Sequence, residues 1–134
     1  PGIIPAGTTT DQVGITMDWT ATFAALAGDT AIRNTDEGID LLPLLTGKQA
    51  PVDRTLYWRQ QPGPKRKSTP RTRAVRQGSW KLLQLEDSPP QLFHLGEDPA
   101  EARDRSGSEP DRIQALNTLL DAWERLVNPP APPE

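Results

Sequence analysis

The residues of this chain that could do chemistry are mainly cations, and they are concentrated in its middle. Between positions 54 and 81 the sequence has nine Lys or Arg residues and no Asp or Glu. Four of them, Lys65, Arg66, Lys67 and Arg71, lie in residues 60–73, where repeated Pro and Gly predict a loop. Because ammonium and guanidinium groups attract anions, these four side chains are candidate anion-binding residues.

The charge of the remaining chain favours a second interpretation, in which residues 60–73 form a solvated loop without a ligand. From position 86 to position 134 there are eleven acidic residues against four Arg, and the net charge of the chain is −3. The acidic part would repel an anion and partly neutralise the basic part. The sequence pI of about 5.2 is unlike that of most nucleic-acid binders, so nucleic acid is not an expected partner.

The sequence offers few residues for catalysis or for metal binding. It has one histidine, His94, and no cysteine. His94 stands between Phe93 and Leu95 in a predicted strand, where a half-exposed structural role is expected. No Gly-rich phosphate loop and no His pair at ligand spacing is present. We therefore predict no catalytic residue and no metal ligand in this chain. No apolar run approaches membrane-spanning length, so no membrane contact is expected, and no visible targeting signal indicates a compartment.

The elements that must position these residues centre on a predicted hairpin over residues 73–85. Gly78 suits its turn, and Trp80 and the leucines that follow supply apolar surface. Residues 54–59 and 91–95 read as further strands, and Arg76 and Lys81 are expected to flank the sheet rather than to bind an anion. A stripe of apolar residues from Ile113 to Leu126 predicts a long helix, with Ser108 as N-cap, lying across the sheet.

The first part of the chain predicts short helices. Asp18 reads as the N-cap of a helix that ends before Gly28, with Trp19, Phe23 and Leu26 on one apolar face that should pack against a neighbour. A second short helix is expected between positions 40 and 47, and a strand over residues 13–17. The predicted fold class is α+β: a small antiparallel sheet of three to four strands with a C-terminal helix packed on it, plus short N-terminal helices.

Six segments, in order along the chain, resemble motifs of type I sulfatases of the arylsulfatase kind. They are residues 1–7 (PGIIPAG), 18–28 (DWTATFAALAG), 37–47 (EGIDLLPLLTG), 54–58 (RTLYW), 74–82 (AVRQGSWKL) and 91–101 (QLFHLGEDPAE). The fourth and fifth are similar to the family's R-x-L-Y-W and A-(I/V)-R-x-G-x-W-K-L segments. Departures from the family pattern include Ala21 for Pro, Phe93 and His94 for Tyr and Asp, and Asp104 for Asn. The chain therefore resembles the C-terminal portion of a sulfatase.

The resemblance implies a supporting role and a division of the chain. Residues 1–53 would be the end of the large sulfatase domain, residues 54–127 the C-terminal sheet-and-helix subdomain, and residues 128–134 a Pro-rich tail. In the family, the C/S-x-P-x-R segment that yields formylglycine and the calcium- and sulfate-binding residues lie upstream, and none of those motifs occurs here. Calcium is thus expected only in a full-length homologue, and the chain would not be catalytically competent alone.

The partner implied by the resemblance is the upstream catalytic domain, with residues 60–73 bordering the entrance of a sulfated substrate. Two alternatives remain open for the chain by itself. It could be a non-enzymatic module that binds polyanions through its basic loop, with Trp58 and Trp80 nearby. It could also self-associate as a homo-oligomer through the apolar surface of segments 18–27 and 39–47.

Overall fold

The computed structural model describes residues 2–29, 34–35, 38–61 and 70–128. The chain divides into two units, of which the first ends at Asp53 and the second begins at Arg54. The first unit contains helix α1 (Thr16–Leu26), strands β1 (Asn34–Thr35) and β2 (Gly38–Ile39), and helix α2 (Leu42–Leu45). The second contains strands β3 (Thr55–Gln60), β4 (Thr72–Gln77), β5 (Trp80–Leu85) and β6 (Gln91–His94), followed by helix α3 (Pro110–Val127).

The second unit is built on a four-stranded antiparallel sheet whose strands stand in the order β3-β4-β5-β6. The predicted hairpin is its centre: Gln77 pairs with Trp80 across a two-residue turn, in which Gly78 adopts a φ of +58°. That conformation is one that residues with a Cβ rarely adopt, so glycine is the residue suited to this position. The sheet, α3 and the short helices of the first unit confirm the predicted α+β fold class.

Alternation along the strands builds the core on the face of the sheet that α3 covers. Val75, Leu82 and Leu92 form one row across three strands, and each is fully buried. From α3, Leu116 and Leu120 close this core and are also fully buried. The stripe of apolar residues from Ile113 to Trp123 and the period-two pattern of the strands therefore meet at one interface, as the sequence predicts. Leu126, the last predicted member of the stripe, is 79% exposed and does not belong to this core.

Polar side chains at one end of the sheet fix α3 in place. Glu124 accepts a hydrogen bond from Nη1 of Arg73 at 3.1 Å and lies 3.5 Å from Nη1 of Arg59. A further hydrogen bond joins Gln84 of β5 to Asn117 of the helix. Arg59 and Arg73, two of the nine cations between positions 54 and 81, thus form ion pairs with α3 and attach the helix to the sheet.

The first unit is organised around a buried carboxylate, and here two predictions were wrong. Asp18 is the third residue of α1 rather than its N-cap, which is Ile15. Its carboxylate accepts a hydrogen bond from the backbone N–H of Ile15 at 2.7 Å, a back-bond that stabilises the first turn. Because the helix begins at Thr16, the strand expected over residues 13–17 does not form. The predicted glycine stop is confirmed, since Gly28 follows the helix with a φ of +86°.

The start of α3 also differs from the prediction. Its N-cap is Glu109, not Ser108, whose hydroxyl instead donates a hydrogen bond to the carbonyl of Arg105 at 3.1 Å. Pro110 explains the shift, because it favours the first helical position and keeps the preceding residue outside the helix.

Across the residues that the structure describes, no helix combines the length and the apolar character needed to cross a membrane.

Candidate functional site

The face of the sheet opposite α3 carries a cleft of about 490 Å³. Trp58, Ala74 and Leu83 form one cross-strand row along its floor. Ala74 is buried, whereas Trp58 is 39% exposed and presents apolar surface to solvent. The remaining lining residues come from the strand ends and from the connection after β6: Arg59, Gln60, Thr72, Arg73, Arg76, Lys81, Leu95 and Glu101.

Two cations of this cleft, Arg76 and Lys81, stand directly opposite each other on β4 and β5. Like charges in that relation repel, so each needs its own compensation. Nζ of Lys81 lies 2.6 Å and 2.8 Å from the two carboxylate oxygens of Glu101, which neutralises the lysine. Both residues, which the sequence predicts to flank the sheet rather than to bind an anion, line the cleft.

Arg76 has a different arrangement. Its Nε donates a hydrogen bond to the carbonyl of Gly78 at 3.1 Å, which holds the side chain against the hairpin turn. It makes no ion pair with the part of the chain that the structure describes. A guanidinium group has five N–H donors, and one of them is used here. Among the described lining residues, Arg76 is therefore the cation best able to bind an anionic group.

Of the four residues predicted to bind the anionic ligand, the structure describes only Arg71. Lys65, Arg66 and Lys67 lie outside the described residues. Arg71 is described and exposed. Its backbone N–H donates to the carboxylate of Glu86 at 3.0 Å, and its carbonyl accepts from the N–H of Glu86 at 2.8 Å. This double contact fixes the backbone where the chain enters β4.

The topology relates this basic segment to the cleft. Gln60 and Thr72 are paired residues at the ends of β3 and β4, and both line the cleft. The chain that joins them carries all four predicted residues, Lys65, Arg66, Lys67 and Arg71. The sequence did not reveal Trp58, Arg76 and Glu101 as a group. The alternation of β3 can predict that Trp58 faces away from the helix. The partner of Lys81 is Glu101, which lies twenty residues further along the chain, and no local pattern indicates that contact.

His94 is a half-buried residue of β6, and the half-exposed strand position predicted for it is confirmed. Its ring lies edge-on to that of Trp80, with 4.6 Å between the ring centroids. The guanidinium of Arg112 lies over the Trp80 ring, 5.4 Å from the centroid. Nδ1 of His94 is buried and makes no hydrogen bond with the described residues, and it lies 3.7 Å from a carboxylate oxygen of Glu97. In this arrangement the imidazole packs against the indole at one edge of the sheet.

Two carboxylates order the connection between β6 and α3, and both have a lowered pKa. Hydrogen bonds from the backbone N–H groups of Leu92 and Ser106 lower the pKa of Asp104. For Asp98, hydrogen bonds from the backbone of Arg103 and Ala102 lower the pKa. Both groups therefore favour the ionised form, and they hold the turn that carries Glu101 to the cleft.

Comparison with solved structures identifies the class to which this fold corresponds. No family model and no curated protein matches the sequence. The structure of Ps i-CgsB in complex with a neocarrahexaose matches 92% of the chain, with a TM-score of 0.70 and 27% identity. BT1596, a 2-O glycosaminoglycan sulfatase, matches 92% with a TM-score of 0.67 and 25% identity. BT4656 in complex with D-glucosamine-2-N,6-O-disulfate matches the whole chain with a TM-score of 0.73 at 22% identity, which shows the fold alone.

The chain spans only 27% to 29% of the length of these three proteins. Its fold is that of a C-terminal portion of a sulfatase, and the resemblance predicted from the six sequence segments is confirmed.

Proposed function

We propose that this chain acts as the C-terminal part of a sulfatase, a hydrolase of sulfuric esters, which supports the catalytic part and borders the entrance for a sulfated saccharide. The observation that carries the proposal is the match to sulfatase structures over 92% of the chain, which covers about a quarter of theirs. Two of the matched proteins are seen with a neocarrahexaose or a disulfated glucosamine, which supports a sulfated saccharide as the substrate class.

The cleft supports the part of the proposal that concerns the entrance. An exposed indole beside a guanidinium suits a saccharide that carries sulfate, because the sugar ring can lie against Trp58 while Arg76 binds an anionic oxygen. The basic segment begins and ends beside this cleft, since Gln60 and Thr72 line it. Lys65, Arg66, Lys67 and Arg71, which the chain between Gln60 and Thr72 carries, would then attract the anionic ligand through their positive charge.

In this proposal the chemical step belongs to the catalytic part. Over the described ranges, no group of three or more His, Cys, Asp or Glu side chains could hold a metal ion. The resemblance places the calcium of a full-length enzyme in the catalytic part, and we propose no chemical step for this chain.

The coding sequence upstream of this chain provides the decisive test. A C/S-x-P-x-R segment there, together with turnover of a sulfated saccharide by the longer protein, would support the proposal. The chain by itself should release no sulfate from an aryl sulfate. Turnover by the isolated chain, or an upstream sequence without a catalytic unit, would contradict it.

A further inference from the structure

Glu101 brings a carboxylate into a cleft whose other charged groups are all cations. Among the described residues that line the cleft, it is the one acidic side chain. Its backbone has a φ of +55°, which lies in the left-handed region and is strained for a residue with a Cβ. Such strain persists where the surrounding structure enforces it, and it is concentrated at functional sites.

Contacts on both sides of Glu101 hold the connection that carries it. The N–H of Glu101 donates to the carbonyl of Asp98 at 3.2 Å, and the carboxylate of Asp98 accepts from the N–H of Arg103 at 2.8 Å. Further along, the N–H of Arg105 donates to the carbonyl of Leu92 in β6 at 2.8 Å. The connection is therefore bound to itself and to the sheet, and it gives the carboxylate of Glu101 a fixed place beside β5.

The ion pair with Lys81 leaves acceptor capacity on Glu101. Nζ of Lys81 lies 2.6 Å and 2.8 Å from the two carboxylate oxygens. Because a carboxylate has about four lone-pair sites, each oxygen can accept a further hydrogen bond. The side chain of Glu101 is 31% exposed, so a ligand in the cleft can reach these sites. Sugar hydroxyls are donors that suit them.

The ion pairs of the cleft leave one cation uncompensated among its described residues. Arg59 and Arg73 pair with carboxylates of α3, and Lys81 pairs with Glu101. Arg76 has no such partner in the described chain, so a ligand with one anionic group matches the charge of the cleft. Since Arg76 and Lys81 are directly paired on adjacent strands, a second anionic group beside Arg76 would approach the carboxylate of Glu101 and be repelled.

We propose that Glu101 is a specificity-determining residue of the cleft, which selects a sugar unit with one sulfate and free hydroxyls over a unit with two sulfates. Arg76 binds the sulfate, the sugar ring lies against Trp58, and the carboxylate of Glu101 accepts from the hydroxyls. A second sulfate in place of a hydroxyl loses that hydrogen bond and meets a like charge. The inference rests on the proposed function, because it requires that the cleft receives a sulfated saccharide.

The test measures the affinity of this chain for two sugars that differ in the number of sulfates. The probes are N-acetyl-D-glucosamine 6-sulfate and D-glucosamine-2-N,6-O-disulfate, and an NMR titration followed at the indole N–H of Trp58 gives the Kd of each. Salt at about 0.15 M screens the attraction of the more distant charges. The original chain should bind the monosulfate about fivefold more tightly, because the disulfate places a like charge beside Glu101.

Matched variants assign this preference to Glu101. Glu101→Gln keeps an acceptor but removes the charge and releases Lys81, so the preference should fall to about twofold or less. Glu97→Gln makes the same change of charge in the same connection, at a described residue that does not line the cleft, and should leave the preference unchanged. Lys81→Gln leaves the charge of Glu101 without its partner and should increase the preference. Circular dichroism establishes that each variant is folded.

The results that would overturn the inference differ from those that would refute the proposed function. Equal affinities, or tighter binding of the disulfate by the original chain, would refute the selection. A preference that Glu101→Gln and Lys81→Gln leave unchanged would assign it to another residue. In both cases, turnover of a sulfated saccharide by the longer protein would leave the proposed function intact. Absence of binding of either sugar to the folded chain would refute the cleft as a site, and an upstream sequence without a catalytic unit would refute the proposed function and the inference with it.

Discussion

The carboxylate of Asp18 accepts a hydrogen bond from the backbone N–H of Ile39, 3.0 Å away, and thereby joins α1 to β2. The other carboxylate oxygen accepts from the N–H of Ile15 at 2.7 Å. The side chain is fully buried, so one residue both starts the helix and attaches it to the segment that follows. This polar contact lies among the buried apolar residues of the first unit, which are Ala21, Ala25, Leu41 and Leu44.

Asp18→Ala should therefore destabilise the chain by about 1–3 kcal/mol, because backbone N–H groups that are largely withdrawn from water lose their acceptor. Asp18→Asn should cost less, since the amide keeps one of the two oxygens. Urea unfolding followed by circular dichroism would measure both changes. An alanine variant as stable as the original chain would contradict the role of Asp18 as a structural acceptor.

The second prediction concerns loss of apolar packing, in the core of the second unit. Leu82 is fully buried between β4, β6 and α3, and Leu82→Ala should cost about 2–5 kcal/mol, because it removes apolar contacts and leaves a cavity. Leu126→Ala removes the same atoms at a position that is 79% exposed and should change the stability by less than about 0.5 kcal/mol. Urea midpoints of the two variants, compared at equal m-values, would test the difference.

These two regions also show where sequence reasoning succeeds. Period-two alternation, a Gly turn and a helical stripe predict the hairpin and α3, because each pattern has one favourable way to bury its apolar residues. In α1 the same reasoning places Trp19 and Phe23 against a neighbour, whereas the described chain leaves them exposed. Burial of Asp18 and Thr22 depends on backbone donors about twenty residues away, which a local pattern does not reveal.

The cleft shows a similar limit. The charge pattern identified the basic segment, but the pairing of Lys81 with Glu101 comes from a turn after β6, and Glu101 adopts an unusual φ of +55°. Arg59 and Arg73 look like Arg76 in the sequence, yet α3 neutralises both and leaves Arg76 without an ion pair among the described residues. Net charge along the chain cannot distinguish these three arginines.

The connection that carries Glu101 should make stability depend on pH. The pKa of Asp104 is lowered in the folded chain, chiefly by the hydrogen bond from the N–H of Leu92. A group with a depressed folded pKa stabilises the fold at pH values above its unfolded pKa, about 3.9, and this contribution is lost as pH falls through the folded pKa. Stability should therefore fall below about pH 4.

The Asp104→Asn variant isolates that contribution. Its amide oxygen can still accept a hydrogen bond but cannot ionise, so the original chain should be more stable than the variant at pH 7, and the difference should shrink towards pH 3. The pKa of Asp98 is also lowered in the folded chain, so the Asp104→Asn variant should retain part of the acid sensitivity. A difference that stays constant from pH 7 to pH 3 would contradict the assigned cause. Urea titrations at both pH values provide the measurement.

The last prediction concerns anion binding by the basic segment and the cleft. Replacing Lys65, Arg66, Lys67 and Arg71 with Gln should weaken binding of a sulfated oligosaccharide such as a heparin fragment and make the remaining binding less dependent on salt, because the long-range attraction is removed. Arg76→Gln should weaken binding with a smaller change in the salt dependence, since it removes a contact in the cleft beside Trp58.

The exposed pair Arg103 and Arg125, replaced with Gln, is the control and should leave affinity nearly unchanged. Calorimetric titrations at two salt concentrations would measure these effects. The control removes two charges and the basic-segment variant four, so an equal loss of affinity per charge removed would mean that net charge alone attracts the ligand. An unchanged affinity for Arg76→Gln would remove the cleft from the binding surface.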